Sequence, residues 1–238
     1  MKKILIILIL LVVLSNSVFG ADFSLSTGAG GLLGYNFTRY TMEGGGLTSY
    51  QDMDRLNYAG FLFFDATYVE LAVLFQGGSN TWVEKLGGLS FSDKGTGLET
   101  SLGISLLGKY PFNINERITW FPLLGVEYHI ALLQRRTPDG LYEYNRTEGH
   151  TGADRDKNGD SYPLHAWNSF WIDIGAGLDY NLTGSFFLRS EIIFGFRLMT
   201  EYEAGALEMF KHQTGDKNPS LFGLTGGPSL KIGVGYRF

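Results

Sequence analysis

An all-β fold, a closed up-and-down antiparallel transmembrane β-barrel of eight strands, is what this 238-residue sequence predicts. Three observations carry that expectation. Apolar and polar residues alternate in eight segments, the period of a strand with two unlike faces. The connections between the segments are short and long by turns, which gathers tight turns at one end of the sheet and long loops at the other. Aromatic residues make up 15% of the chain and glycines number 33, with aromatics concentrated at the ends of the apolar faces, where membrane interfaces favour them.

The elements follow in chain order. Residues 1–20 read as a secretory signal peptide, with Lys2 and Lys3, an apolar run from Ile4 to Leu14, and a small-residue site ending at Gly20. Residues 21–238 then form one barrel domain. Strands are expected at about 22–35, 57–65, 67–78, 97–110, 117–131, 167–180, 185–200 and 222–238. Between them lie long loops at 36–56, 79–96, 132–166 and 201–221, and tight connections at Asp65-Ala66, Pro111 to Glu116 and Asn181 to Gly184. Beyond residue 20 no apolar run approaches the roughly 20 residues of a spanning helix. A net charge of −5 without a basic-aromatic patch gives no sign of nucleic acid, and the absence of cysteine excludes disulfides.

Each strand divides its residues between two faces. The last sets Ile232, Val234, Tyr236 and Phe238 against Lys231, Gly233, Gly235 and Arg237. The seventh sets Phe186, Leu188, Ile192, Phe194 and Phe196 against Arg189, Glu191, Gly195 and Arg197. The second is ambiguous in phase between Phe61/Phe63 and Leu62/Phe64. Period alone does not say which face is inside. Aromatic capping, a glycine-rich polar face suited to a crowded lumen, and strand lengths suited to a tilted crossing place the apolar face on lipid. Pro122 and Pro228 fall inside strands, where a missing N–H should bring a bulge or a break in pairing.

With that phase the lumen holds Glu70, Glu99, Glu127, Asp173, Asp179 and Glu191, facing Lys109, Arg117, Arg189, Arg197, Lys231 and Arg237. Near-balanced charge in so narrow a space suits an ion-pair plug; the alternative is a narrow ion path with charged walls. His129 beside Glu127 is either a general-base pair or part of the plug. In the longest loop, Asp154, Asp156, Asn158 and Asp160 match the start of a calcium loop, but His165 stands where the bidentate Glu is expected. A solvated turn and weak calcium binding are both open, and no other cofactor is expected.

The terminal "KIGVGYRF" resembles the signal that the outer-membrane barrel assembly machinery reads on a last strand, carried by Lys231, Gly233, Tyr236 and Phe238. By topology the chain from residue 21 resembles the eight-stranded OmpA/OmpX/OmpW-type barrels. That resemblance implies a bacterial outer-membrane protein, with membrane lipid and the assembly machinery as partners. The reading is a non-enzymatic barrel with a charge-plugged lumen. Its long loops serve envelope structure or bind an external ligand or host surface, chiefly through residues 132–166. A narrow porin or hydrophobic-solute channel, and an enzyme acting on envelope lipid, are the alternatives.

Overall fold

The computed structural model of the protein describes residues 24–87, 91–137, 142–145, 149–151, 164–198, 200–216 and 218–238. Eight long strands dominate it: β1 Leu25–Gly44, β2 Leu47–Ala66, β3 Val69–Gly87, β4 Phe91–Lys109, β5 Ile118–Thr137, β6 Ser169–Asn181, β7 Phe186–Arg197 and β8 Ser220–Arg237. Each pairs antiparallel with its chain neighbour, and β8 pairs with β1 from Ser26↔Arg237 upward. The ring is therefore closed, and the expected eight-stranded up-and-down barrel is what the chain forms.

The strands run further than the alternation indicates. Residues 36–56 are not a loop. β1 and β2 stay paired to Gly44↔Leu47 and turn through Gly45 and Gly46, whose φ values of 58° and 79° lie in the left-handed region open to glycine. Likewise β3 and β4 extend through most of 79–96, paired up to Leu86↔Phe91. In these segments the sequence no longer alternates strictly between apolar and polar residues, so the period fades while the backbone ladder continues. The segment 201–221 contains a helix, α1 Glu201–Thr214. Thr200 caps it and Glu203 closes the reciprocal capping box, while Gly215 ends it at φ 68°. Within 132–166, β5 continues to Thr137, and Tyr142–Asn145 pairs with it and with Gly149–Thr151. The expected signal peptide at residues 1–20 and the Asp154, Asp156, Asn158, Asp160 motif lie outside the described residues.

At the tight-turn end the chain turns through Thr67 and Tyr68, through 110–117, and through 182–185. The two prolines sit where the ladder permits them. At Pro228 the pairing with β1 lapses between Gly34↔Ser229 and Phe37↔Gly226. Pro122 lies one residue past Lys109↔Leu123, the last pair with β4, so only β6 borders it.

The faces separate as the charge pattern requires. In β2, Phe61 and Phe63 point inward and Leu62 and Phe64 outward, with Phe63 2% and Leu62 65% exposed. The ambiguous strand thus carries aromatics on both faces. Inward aromatics need room, and glycines opposite supply it. A Cβ built on Gly235 would lie 2.2 Å from the Phe187 ring, and one on Gly177 would lie 2.2 Å from the Phe121 ring. Phe61, Phe63 and Phe187 form one buried cluster with Leu32, Ala72 and Leu74. Phe121, Leu107, Leu123 and Ile193 form another.

Gly235→Ala should therefore destabilise the barrel by about 1–3 kcal/mol through overpacking, read as a lower urea midpoint for unfolding in lipid vesicles. Adding Phe187→Leu should recover part of that loss. Full stability in the single variant would show that the ring does not depend on the glycine.

Candidate functional site

Register brings opposite and like charges together inside the barrel. Asp179 faces Arg189 across β6 and β7, and Glu191 faces Lys231 across β7 and β8. Across β2 and β3, however, Asp65 faces Glu70, two carboxylates side by side. Arg189 resolves that repulsion. Its Nε and Nη2 donate to the two Asp179 oxygens at 2.7 Å each, Nη2 also to Asp65 Oδ2 at 2.7 Å, and Nη1 to Glu70 Oε2 at 2.5 Å. The guanidinium carbon lies 4.8, 5.2 and 5.1 Å from the ring centres of Phe63, Phe121 and Phe187. Arg189 is 2% exposed. Lys109 completes the group by pairing with Asp65.

Toward the mouth a second group follows. Lys231 Nζ is 3.9 Å from Glu127 Oε2, Glu127 also contacts His129, and the His129 ring lies 5.7 Å from that of Trp171. Asp173 is buried at this level. Above it Glu99 pairs with Arg55 and accepts a 2.7 Å hydrogen bond from Asn80 Nδ2. At the mouth Glu203 of α1 reaches into the barrel and pairs with Arg197, which also donates to Tyr40 Oη at 2.8 Å and to Thr225 Oγ1 at 3.3 Å. Burial pushes the Glu203 carboxyl up to about 7, while the Thr200 amide favours its charged form; the Arg197 guanidinium in contact with it acts in the amide's direction.

Most of the expected lumen residues are thus inside: Glu70, Glu99, Lys109, Glu127, Asp173, Asp179, Arg189, Glu191 and Lys231, with Arg197 at the mouth. Arg117 is not. It is exposed in the turn before β5, where its amide and that of Ile118 donate to Asn115 Oδ1 at 2.9 Å and turn the chain outside the ring. Arg237 stands at the rim, its side chain 32% exposed and 4.0 Å from Asp179. The expectation missed Asp65, Arg55 and Glu203. Asp65 shares the face of Phe61 and Phe63, so settling the phase of β2 would have found it. Of the assembly-signal residues, Lys231 and Gly233 point inward. Tyr236 and Phe238 point outward, with Tyr236 packed edge-on to Phe186 and Phe238 at 5.1 and 5.4 Å. Among the described residues no group of three or more His, Asp or Glu side chains is arranged to hold a metal ion.

Removing the Arg189 charge leaves buried carboxylates facing one another. Arg189→Met should cost about 3–5 kcal/mol of unfolding free energy. Arg189→Lys should restore only part, because an ammonium can neither fork across Asp179 nor stack on three rings. Adding Asp65→Asn and Asp179→Asn to Arg189→Met should recover stability, and an unchanged urea midpoint in Arg189→Met would remove the residue from its central place.

No protein-family model and no curated protein matches the chain. Among solved structures it is similar to the outer membrane protein OprG from Pseudomonas aeruginosa, at 13% identity and TM-score 0.47 over 90% of this chain and 95% of that one. It is similar to the N-terminal β-barrel domain of OprF from the same organism, at 14% identity and TM-score 0.34 over 86% and 97%. Neisserial surface protein A is a third, at 12% identity and TM-score 0.34 over 92% and 98%.

Proposed function

We propose that the chain is a non-enzymatic barrel of the bacterial outer membrane, with a lumen plugged by charge and a tall mouth offered to external partners. The observation that carries this reading is the reversal of the two faces. Arg189, Lys231, Glu70 and Glu191 are each no more than 2% exposed inside the ring, while Leu62, Phe75, Leu124, Ile192 and Ile232 stand exposed on its outer wall. Water would favour the opposite arrangement, whereas a closed barrel in hydrocarbon requires this one. Aromatic rings flank the wall at the tight-turn end, where Tyr68, Tyr110, Phe112 and Trp120 follow one another at centroid spacings of 5.8, 4.9 and 5.4 Å. Such a row suits the headgroup level.

The plug is supported by the same packing. Eight strands leave space for side chains to fill, and here Phe63, Phe121 and Phe187 occupy the level of the Arg189 group, with Phe61 beside Lys231. At the other end β1 to β4 have 19 or 20 residues each, against the roughly 9–11 of a tilted crossing. Their outer halves stand clear of the bilayer, together with the upper end of β5 and the Tyr142–Asn145 strand paired with it. That rim is the surface for an external ligand or host partner.

Purified full-length barrel in a planar bilayer should show no steady unitary conductance. A continuous current in the wild-type chain would replace the plug with a narrow channel. Spin labels placed singly at Ile192 and Ile232 should be relaxed by lipid-dissolved oxygen, and one at Glu191 should not; the reverse result would invert the barrel and remove the membrane reading.

A further inference from the structure

Helix α1 does more than connect β7 to β8. It is fastened at both ends to the rim of the barrel. At its start the Glu203 carboxylate enters the mouth and contacts Arg197 and the Tyr40 hydroxyl, both on the inward face. Thr225 Oγ1, which Arg197 also reaches, donates onward to Thr38 Oγ1 at 3.0 Å. The same carboxylate accepts from the Thr200 amide at 2.8 Å, so one side chain both caps the helix and holds it to the barrel. Past the end of α1, Asp216 Oδ2 accepts from the Gly45 amide at 3.0 Å in the β1–β2 turn, and Oδ1 from the Asn218 amide at 2.9 Å. Those two amides hold the Asp216 carboxyl below its ordinary range. Phe210 is buried, close to Gly44 in the same turn.

Beneath this strap lies a polar cavity of about 40 Å³, which Arg55, Glu99, Ser101, His129 and Glu203 help to line. A second cavity of about 40 Å³ lies deeper, bordered by Gln76, Glu127, Asp173 and Lys231, and His129 borders both. The Arg189 group and its phenylalanines close the lumen below. The polar volume is therefore a vestibule with a floor, and Glu203 stands at its outer side.

We propose that α1 is a latched cover on this vestibule, and that the Glu203–Arg197–Tyr40 contact is the latch that sets whether small hydrophilic solutes reach His129 from the mouth. This rests on the reading of a membrane barrel closed below the vestibule, whose own failure would show separately as a steady conductance or as inverted spin-label exposure. The chemistry fits a latch. A charge-assisted contact within a largely buried pocket holds firmly when made, and a single carboxylate carries both the helix cap and the lock. At its N-terminal end α1 follows β7 after three residues, with the Leu198 amide donating to the Phe170 carbonyl oxygen at 2.8 Å, and Glu203 is the side chain that fixes it over the mouth. The C-terminal attachment, made by Asp216 and Phe210 on the β1–β2 turn, holds the other end of the cover.

The chain has no cysteine, so single thiols report access directly. Ser101→Cys places one in the vestibule, and Ser105→Cys places one at a fully buried inward position. Each would be made in the full-length barrel in lipid vesicles, alone and with Glu203→Ala or the milder Glu203→Gln. The probe is a small charged methanethiosulfonate reagent added from outside. The latch requires slow labelling of Ser101→Cys in the parent. It also requires acceleration of at least about tenfold when Glu203 loses its charge, the effect of losing one hydrogen bond to a charged group. Ser105→Cys should stay unlabelled throughout, and the unheated barrel should keep its folded electrophoretic mobility. Equal rates for Ser101→Cys with and without the Glu203 substitutions would overturn the proposal, as would fast labelling in the parent. Acceleration at both thiols, or loss of the folded form in Glu203→Gln, would make Glu203 a support of the whole barrel and would overturn the latch equally.

Discussion

One guanidinium organises the interior. Arg189 enters from β7 and binds carboxylates on β2, β3 and β6, so a single side chain ties together strands from opposite sides of the ring. Backbone ladders hold each strand only to its two neighbours. Bonds across the lumen are what oppose flattening of the ring, and among the described residues Arg189 makes two of them, to Asp65 and Glu70, beside Lys109–Asp65, Lys231–Glu127 and Arg55–Glu99. The arrangement also explains why Asp65 and Glu70 tolerate facing each other across a strand pair. Each lends an oxygen to the same cation, and with Lys109 on Asp65 the local repulsion is offset. Such a group is costly to bury when incomplete and tolerable when complete. It therefore selects one register: a slip of one residue on β7 would turn Arg189 and Glu191 into hydrocarbon together.

The aromatics of the lumen are a consequence of that cation. A guanidinium stripped of water is favoured by ring faces above and around it, and Phe63, Phe121 and Phe187 provide them. Three rings and an arginine fill a layer that a narrow barrel has little room for. The space comes from the neighbouring strand, where Gly28, Gly177 and Gly235, the cross-strand partners of Phe63, Phe121 and Phe187, let the rings lie against bare backbone. Each of these three inward glycines thus sits beside one inward ring. Both follow from placing a multiply bonded charge at the axis.

This pairing marks what could be read beforehand and what could not. The ring of eight, its tight turns and the inward path of Arg189, Glu191 and Lys231 were legible because alternation is strict where one face meets lipid and the other does not. Legibility failed where that contrast fails. In β2 aromatics lie on both faces, so Asp65 escaped notice although it belongs to the central group. In 36–56 and 79–96 the sequence no longer alternates strictly between apolar and polar residues, so the period vanished while the ladder continued to Gly44↔Leu47 and Leu86↔Phe91. Arg117 was misplaced by extending an alternation one residue past the strand, into a turn set by Asn115. The helix was missed because Gly205 and a weak apolar face obscure it, although Thr200 and Glu203 spell its capping box. Glu203's second task, on Arg197, requires contact between distant segments and has no local signature.

The uneven strand lengths give the mouth its form. β5 and β8 have 20 and 18 residues, but β6 and β7 between them have 13 and 12. The wall is therefore low over one sector, and the upper parts of β5 and β8 lack β6 and β7 as partners there. An exposed edge invites pairing with another chain unless something occupies it. On the β5 side Tyr142–Asn145 lies along Leu133 to Arg136 and takes up the ladder. At the base of the gap the 3₁₀ turn Leu164–Trp167 precedes β6, and the Asn168 that follows it accepts at Oδ1 from the Ala131 amide at 2.9 Å. α1 follows β7 and contacts both that turn and β1. The segments that border the low sector are the same ones that fill it, and a helix serves there because it satisfies its own backbone. Short strands at β6 and β7 thus create the need for a cover, and the capping box at Thr200 supplies one whose carboxylate points into the lumen.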